Sequence, residues 1–493
     1  MSKNIIGREC RFVQHLKEIP DYRPDTHMIK EVIHYDDGSK EKKLRWVKNF
    51  QRPFYVTKEF YRNHNDKKET EDITKLNKYY STESRLASEI SSRLGSQYVG
   101  VKNMRMIKGS PYVYGIDVNA ATYIKEAYLR KYPDKVTPYE VCTFDIEYNT
   151  ITDELIVISI AMEDKIFTVI NSELIKKKYL NKKTDNEIKR VIDELNYMFE
   201  KYIPDESKFK GVDREFIIVD GEVNVIKKVF EKAHEWEPDL MAVWNIDYDI
   251  SKILEILDRE GIDPADIFSA PNIPKEYKYF HYKKGATQKV TESGKYKPVN
   301  PNEQWHVINA TSSFYWIDAM SAYSYIRVGA KSIPNGYGLD NVLKYVLGDK
   351  LGKLKFKDER SEHLTGLEWH IYMVENRPLE YIIYNQWDIL SMLTLDDKTK
   401  DLKQILALLS GISSFDIFNS GPKRIIDAMH FFVIERGQVL GTKPPVVDDN
   451  KFLGLGSWIV LLPSYLIKEN GGKRIDGNPE AITNIRSHVY DSD

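Results

Sequence analysis

Residues 141–170 read VCTFDIEYNTITDELIVISIAMEDKIFTVI, and this stretch decides the fold. It holds three runs of apolar and β-branched residues, Val141–Tyr148, Glu154–Ile160 and Lys165–Ile170, and the last two are separated by a short polar turn. Runs of this length, bounded by turn residues, are typical of β-strands. The stretch therefore predicts three consecutive strands, of which the last two form a hairpin.

Strand and helix patterns alternate after this stretch. Apolar residues at helical spacing predict helices, and short β-branched runs predict strands. The predicted elements are a strand at Phe216–Val219, a helix at Val223–Trp236, a strand at Leu240–Trp244, a helix at Ile250–Asp258 ended by Gly261, a helix at Leu339–Leu347 closed by Gly348, and a longer helix at Pro378–Lys398. This alternation predicts an α/β domain, with a mixed sheet flanked by helices, over residues 136–400.

The flanking regions have different patterns. Residues 1–135 predict an N-terminal domain of mixed α+β type, with a basic and aromatic stretch at 42–64 and an amphipathic helix at Ser84–Leu94. Residues 401–493 begin with a helical stretch to about residue 436 and continue through a proline-containing loop, KPPVVDD. A chain of 493 residues is long enough for about three domains of this kind.

Composition limits the class of protein. Hydrophobic residues make up 42% and charged residues 30% of the chain, and the net charge is −2, so any nucleic-acid contact has to come from local basic patches. The only cysteines, Cys10 and Cys142, form no disulfide framework and fit a cytoplasmic location. The apolar stretch Trp458–Leu462 is too short to span a bilayer, so we expect no membrane association.

The first candidate for chemistry is the Asp-x-Glu pair in the opening strand. Residues i and i+2 of a strand point to the same face, so Asp145 and Glu147 project together while Phe144 and Ile146 point to the core. Carboxylates that converge from separate elements are what a pair of divalent cations needs to promote phosphodiester hydrolysis. The alternative interpretation is a half-exposed strand with solvated acids.

Two further stretches carry acids in positions that suit such a site. Asn245-Ile246-Asp247-Tyr248-Asp249 follows a predicted strand, where Asp249 stands at an N-cap position and Asp247 competes with it for a functional role. Tyr384 and Asp388 are four residues apart and share one face of the long helix. Helix capping by Asp249 and core packing by Tyr384 are the structural alternatives.

Together the three stretches resemble the exonuclease motifs of family B DNA polymerases, and the chain is similar to the N-terminal part of those enzymes in T-even-like tailed phages. The resemblance implies an RNase H-like 3′→5′ proofreading exonuclease domain of the DEDDy subclass, which uses two Mg²⁺ or Mn²⁺ ions. It implies that Asp145, Glu147 and Asp388 bind the tighter metal and that Asp145 also bridges to the second. By the Asn-x-x-Tyr-Asp pattern, Asp249 corresponds to the acid that acts on the second metal, and Tyr384 corresponds to the tyrosine that orients water.

The same resemblance suggests residues that contact DNA. Lys353 stands where such phage polymerases place a lysine near the scissile phosphate, although Lys350 and Lys355 compete for this role. Residues 275–297 contain seven lysines interleaved with aromatic residues, a pattern suited to phosphates and unpaired bases. The family carries a primer-transferring β-hairpin in this interval, and a solvated loop is the alternative. The candidate residues for contacts with single-stranded and primer-template DNA are Asn245, Lys278, Lys283 and Lys284.

The end of the chain resembles the start of a polymerase domain. Phe452-Leu453-Gly454 resembles the turn between the exonuclease and polymerase halves, although Leu455 departs from the usual small residue. Asp493 corresponds to the first metal-binding aspartate of the polymerase palm, so the palm segment and its synthesis site are incomplete. The resemblance thus implies a second polypeptide with fingers, the rest of the palm and thumb, unless the sequence is interrupted or a fragment.

Other functions compete with this one. A stand-alone DEDDy exonuclease and a catalytically inactive DNA-binding scaffold are the alternatives to the proofreading part of a replicative polymerase. The sequence does not decide whether a sliding clamp is a partner.

Overall fold

The computed structural model of the chain describes residues 3–95, 100–101, 103–180, 182–291, 294–328 and 333–442. The chain divides into two compact units, each assembled from separate stretches. The larger unit comprises Met1–Pro53, Tyr79–Leu86 and Val118–Gly437, and the smaller comprises Phe54–Lys78, Ala87–Asp117 and the described residues from Gln438 onward. The boundaries 1–135, 136–400 and 401–493 stay predictions, and residues 452–455, 458–462 and Asp493 lie outside the described residues.

The described residues form 18 β-strands. In chain order they are β1 Ile5–Leu16, β2 Thr26–Tyr35, β3 Lys40–Lys48, β4 Arg52–Thr57, β5 Thr70–Asp72, β6 Leu76–Ser81, β7 Val113–Tyr114, β8 Val141–Asn149, β9 Glu154–Ala161, β10 Lys165–Asn171, β11 Asp213–Val219, β12 Leu240–Val243, β13 Phe280–Lys283, β14 Gln288–Val290, β15 Tyr296–Pro298, β16 Val307–Ala310, β17 Tyr315–Asp318 and β18 Gln438–Leu440.

The same residues form 14 α-helices. They are α1 Leu86–Leu94, α2 Met104–Gly109, α3 Ala120–Lys131, α4 Ser172–Tyr179, α5 Asp185–Tyr202, α6 Glu222–Trp236, α7 Ile246–Arg259, α8 Pro264–Phe268, α9 Ala319–Ile326, α10 Leu339–Leu347, α11 Leu367–Asn376, α12 Pro378–Thr399, α13 Leu406–Ser410 and α14 Gly421–Ile434. No helix in this part of the chain is both long and apolar enough to cross a membrane.

A six-stranded mixed sheet organises the larger unit. Its order is β11-β10-β9-β8-β12-β17. Strands β8, β9 and β10 pair antiparallel, whereas β11 runs parallel to β10, and β12 runs parallel to both β8 and β17. Helices pack on this sheet, so the predicted α/β class and the predicted β9–β10 hairpin are confirmed. The other strands form a β1-β2-β3 meander, a β6-β4-β7 sheet and three two-stranded pairs.

Side chains alternate between the two faces of β8, and this alternation determines which of them face α12. Phe144 and Ile146 enter an apolar cluster with residues of α6 and α7. The intervening residues point to the opposite face, where the hydroxyl of Thr143 donates to the carbonyl oxygen of Ile389 in α12 (3.0 Å). Asp145 and Glu147 share this face of β8, which is the face that α12 covers.

One predicted helix start is wrong. Helix α7 begins at Ile246 rather than at Ile250, and its N-cap is Asn245 in the left-handed conformation (φ 67°). The backbone N–H of Ile246 donates to Oδ2 of Asp318, at the end of the neighbouring strand β17 (3.1 Å). Asp249 therefore lies within the first turn of α7 and is not its cap.

The predicted helical stretch at 401–436 is interrupted. A π-helical turn at Asp401–Ile405 leads into α13, and a 3₁₀ turn at Phe415–Ile417 precedes α14. Gly411 adopts a positive φ of 50° at the end of α13, a conformation that glycine tolerates best. The chain changes direction at this glycine, so the predicted helical stretch is divided into the separate helices α13 and α14.

Candidate metal centre

Three carboxylates from two elements meet on the α12 face of the sheet. Asp145 and Glu147 project from β8, and Asp388 projects from α12. One ligand oxygen from each lies within 4.8 Å of the other two. A strand and a helix that pack directly on each other hold these groups at fixed positions, so the cluster does not depend on a mobile loop.

Residues of α12 orient the two β8 carboxylates. The side-chain amide of the buried Asn385 donates to Oδ2 of Asp145 (2.8 Å). The Tyr381 hydroxyl donates to Oε2 of Glu147 (2.6 Å) and lies 2.6 Å from Nδ1 of His370. The tyrosine hydroxyl thus links Glu147 to the imidazole of His370.

Lys353 lies at the centre of the site. Its ammonium forms an ion pair with Oδ2 of Asp388 and donates to the hydroxyl of Tyr384 (3.0 Å). The loop that carries it is fixed to α12, because the indole N–H of Trp387 donates to the carbonyl oxygen of Gly352 (2.7 Å). Of the competing lysines, Lys350 pairs with Glu206 and Lys355 with Asp340, both at exposed positions. The structure thus brings only Lys353 of these three to the carboxylates.

Tyr384 is held from several sides. Its side chain is buried, its ring stacks on that of Tyr381 (centroids 5.8 Å apart), and it also contacts Trp369 (5.1 Å). This packing fixes the ring, and the contact with Lys353 fixes the hydroxyl. Packing and a polar role therefore coexist in one residue, whereas the sequence presented them as alternatives.

Asp249 and Asp247 point to different surroundings. Asp249 is buried, and burial together with the nearby charge of Asp249 raises the pKa of Asp145. Asp247 is partly exposed. It accepts a hydrogen bond from the hydroxyl of Tyr282 (2.7 Å) and forms an ion pair with Lys284 (2.6 Å). This placement favours Asp249 as the functional acid, and the choice between the two stays a prediction.

The site brings several carboxylates together in a poorly hydrated environment. Burial raises the pKa of Asp145 well above its usual range, and the charges of Asp249, Glu147 and Asp388 raise it further. Burial also raises the pKa of Glu147 to about 8, against the hydrogen bond from Tyr381 that lowers it. Although burial opposes its charge, the pKa of Lys353 is raised well above its usual range by the carboxylate of Asp388. One ammonium group does not neutralise four carboxylates, so the site favours additional cations.

The donor set fits divalent cations. Carboxylate oxygens are the ligands that hard cations such as Mg²⁺ prefer. Oδ1 of Asp388 is buried and has no hydrogen-bond partner among the described residues, and buried oxygens in native proteins are rarely left unpaired. The Asp145, Glu147 and Asp388 cluster can therefore hold a metal ion.

The lysine-rich interval at 275–297 contains a β-hairpin. Strands β14 and β15 pair antiparallel, with Tyr296 at the hairpin 75% exposed. Lys283 is exposed, whereas Lys278 pairs with Asp266 (2.8 Å) and Lys284 pairs with Asp247. Asn245 is exposed at the start of α7. The hairpin thus offers an exposed aromatic ring among basic side chains.

Three orienting residues were missed from the sequence: His370, Tyr381 and Asn385. Tyr381, Tyr384, Asn385 and Asp388 follow the spacing i, i+3, i+4 and i+7, which places them on one helix face. That stripe of polar and aromatic residues in a long apolar helix was the signal available for Tyr381 and Asn385. His370 has no comparable signal, because it reaches the site from a separate helix.

The residue types together determine the chemistry that the site can support. Converging carboxylates can hold cations, a buried ammonium can hold an anion, and a fixed hydroxyl can orient a polar group between them. A phosphate diester is a substrate that would use all three. Comparison with protein-family models and with curated proteins finds no match to this chain.

Proposed function

We propose that this chain is a 3′→5′ exonuclease that hydrolyses DNA phosphodiester bonds with two divalent cations, Mg²⁺ or Mn²⁺. Asp145, Glu147, Asp249 and Asp388 would hold the cations. The observation that carries the proposal is the convergence of ligand oxygens from Asp145, Glu147 and Asp388 within 4.8 Å.

The chain's own residues prepare the site for such a reaction. Two cations bound at these carboxylates would activate the attacking water and stabilise charge on both the attacking and leaving oxygens. The hydrogen bonds of Asn385 to Asp145 and of Tyr381 to Glu147 keep the acids in position without reorganisation during turnover. The hydroxyl of Tyr384 would orient the attacking water, since it lies one helical turn from Asp388.

Lys353 has a separate role in the proposal. Its ammonium is bound to Asp388. A phosphate in the site would offer it oxygen acceptors as well, so the same group would stabilise the scissile phosphate. A lysine suits this role because its flexible stem allows the charge to follow the substrate.

We also propose that the fold is RNase H-like and that the chain is the N-terminal part of a family B DNA polymerase active in replication. The order β10-β9-β8-β12-β17, with the first three strands antiparallel and the last two parallel to β8, supports the fold. The placement of the motif acids on β8, at the β12–α7 junction and on α12 supports the family. The expected second polypeptide rests on residues after Thr442 and stays an expectation.

Single-stranded DNA and the frayed end of a primer-template are the proposed substrates. An exposed Tyr296 can stack on an unpaired base, and the lysines around it can contact phosphates. The Lys284–Asp247 ion pair links the hairpin region to the helix that carries Asp249. DNA that competes for Lys284 would therefore break an ion pair on the same helix as Asp249.

The polarity of degradation tests the proposal. With Mg²⁺, a single-stranded oligonucleotide labelled at its 5′ end should yield a ladder that shortens one nucleotide at a time, and a 3′-end label should be released at once as a mononucleotide. A chelator should stop both reactions. Retained DNA binding without any cleavage would favour an inactive scaffold, and internal cleavage would contradict an exonuclease.

Replacing Tyr384 with phenylalanine should lower turnover by about 10–1000-fold, because orienting the attacking water is a large part of the barrier. Metal affinity should be nearly unchanged, since the hydroxyl is not a proposed ligand. Single-turnover rates and Mn²⁺ titrations measure the two quantities separately. Tyr345→Phe is the matched control, since Tyr345 is 58% exposed. Equal turnover in wild type and Tyr384→Phe would leave Tyr384 with a packing role alone.

A further inference from the structure

A second group of potential metal ligands lies on the β1–β2 hairpin, on elements distinct from those of the carboxylate cluster. His15 on β1 and His27 on β2 are direct partners in the antiparallel register. Paired residues on adjacent antiparallel strands project from the same face of the sheet. Their imidazole rings lie nearly parallel, with centroids 4.7 Å apart. The strand pairing itself therefore places two imidazoles side by side.

Asp25 completes the group. Its Oδ2 lies 3.0 Å from Nε2 of His15, and its Oδ1 lies 3.7 Å from Nδ1 of His27. One ligand atom from each of the three residues lies within 4.8 Å of the other two. The backbone N–H of Ser84 donates to Oδ2 of Asp25 (2.8 Å), which fixes the carboxylate.

Three polar atoms in this group are buried without a partner. Both ring nitrogens of His27 and Oδ1 of Asp25 have no hydrogen-bond partner in the described part of the chain. The side chains are 1% and 0% exposed, so solvent does not satisfy them. An imidazole always presents two hydrogen-bonding nitrogens, whatever its protonation state. Contiguous unpaired atoms of this kind point to a ligand that the protein atoms alone do not supply.

We infer that His15, Asp25 and His27 form a binding site for one divalent transition-metal ion, with Zn²⁺ as the best match. Two imidazoles and one carboxylate are a common zinc ligand set, whereas Mg²⁺ prefers an all-oxygen set. In a tetrahedral zinc site the ligand atoms lie about 3.3–3.5 Å apart. Side-chain rotations that move the ligand atoms by about 1 Å bring the three residues to this spacing. The His15 side chain is 24% exposed, which leaves room for water as a fourth ligand. The ion would link the end of β1 to the start of β2.

Metal titration of the full chain tests this site. The chain should carry Asp145→Ala and Glu147→Ala, so that the other carboxylate cluster does not bind metal, and cleavage activity does not enter the result. Co²⁺ should bind at one equivalent per chain and give the intense visible absorption of a four-coordinate ion. Zn²⁺ should displace it and raise the melting temperature.

Substitution of the accessible ligand gives the decisive comparison. His15→Gln should weaken Zn²⁺ binding by at least about 100-fold, because loss of an outer-shell partner alone costs about 10–100-fold. His363→Gln, at an exposed position, should bind like the parent. Equal affinity in His15→Gln and the parent, or no stoichiometric binding, would overturn the site.

X-ray absorption at the zinc edge keeps the test valid if His15→Gln does not fold. The zinc-loaded parent should show scattering from two imidazoles and from oxygen ligands. A spectrum without imidazole scattering would contradict the proposal.

Discussion

Replacing Asp145 and Glu147 together with alanine is expected to lower the rate of single-strand hydrolysis by about 10³–10⁵-fold. Both residues contribute oxygens to the cluster with Asp388, and the remaining Asp388 and Asp249 are too few to hold two cations. The cations are expected to supply several kcal/mol of charge stabilisation, and about 1.4 kcal/mol corresponds to a factor of ten in rate. Pre-steady-state release of mononucleotides from a 3′-labelled oligonucleotide measures the loss.

The fold should persist in this double variant. Burial raises the pKa of both acids, so their removal relieves an unfavourable burial of charge and leaves the apolar face of β8 intact. Circular dichroism and the melting temperature check this point. A matched control is Glu154→Ala with Asp164→Ala, since both acids are exposed around the β9–β10 hairpin. Cleavage by the Asp145, Glu147 variant at the control rate would show that the cluster is not the active site.

The second large effect is expected from Asp249→Asn, which should lower turnover by about 100–1000-fold. Asp249 is buried, and the pKa of Asp145 is raised by burial and then by the charge of Asp249. Loss of one preorganised charged group from an active site typically has an effect of this size. Asparagine is nearly isosteric with aspartate, so the change removes charge with little effect on packing. Rates at saturating Mg²⁺ and Mn²⁺ measure the effect.

Asp247→Asn is the matched comparison, two residues away on the same helix. It removes the ion pair with Lys284, whose side chain is 57% exposed. A pair this exposed is worth up to about 1 kcal/mol, so any change should stay within about fivefold and concern DNA binding rather than turnover. The opposite ranking, with Asp247→Asn inactive and Asp249→Asn active, would mean that Asp247 and not Asp249 is the functional acid.

Local pattern was sufficient for the α/β class of the fold. The β-branched runs of β8, β9 and β10 and the apolar residues of α6 and α12 reflect burial where these helices pack on the sheet, so the sequence pattern reports them directly. The start of α7 was not predictable in this way. It depends on the hydrogen bond from Ile246 to Asp318, a residue 72 positions away, and no local pattern carries that contact.

In the candidate site, too, local geometry was predictable from the sequence and tertiary contacts were not. Asp145 and Glu147 share a face because of strand geometry, and Tyr384 and Asp388 share a face because of helix geometry, so their spacing was informative. The position of Lys353 depends on the Trp387–Gly352 hydrogen bond, a tertiary contact, and the sequence left Lys350 and Lys355 as competitors of Lys353. His370 reaches the site through Tyr381, a tertiary contact that residue spacing does not encode.

Anomalous diffraction from crystals soaked in Mn²⁺ with a short single-stranded oligonucleotide tests the central claim most directly. Two anomalous peaks about 4 Å apart are expected, one contacted by Asp145, Glu147 and Asp388 and the other by Asp145 on the side of Asp249. The ammonium of Lys353 should then contact the phosphate at the 3′ end. Absence of any peak at these carboxylates, with Lys353 still paired to Asp388 and no DNA end beside it, would contradict the proposed exonuclease.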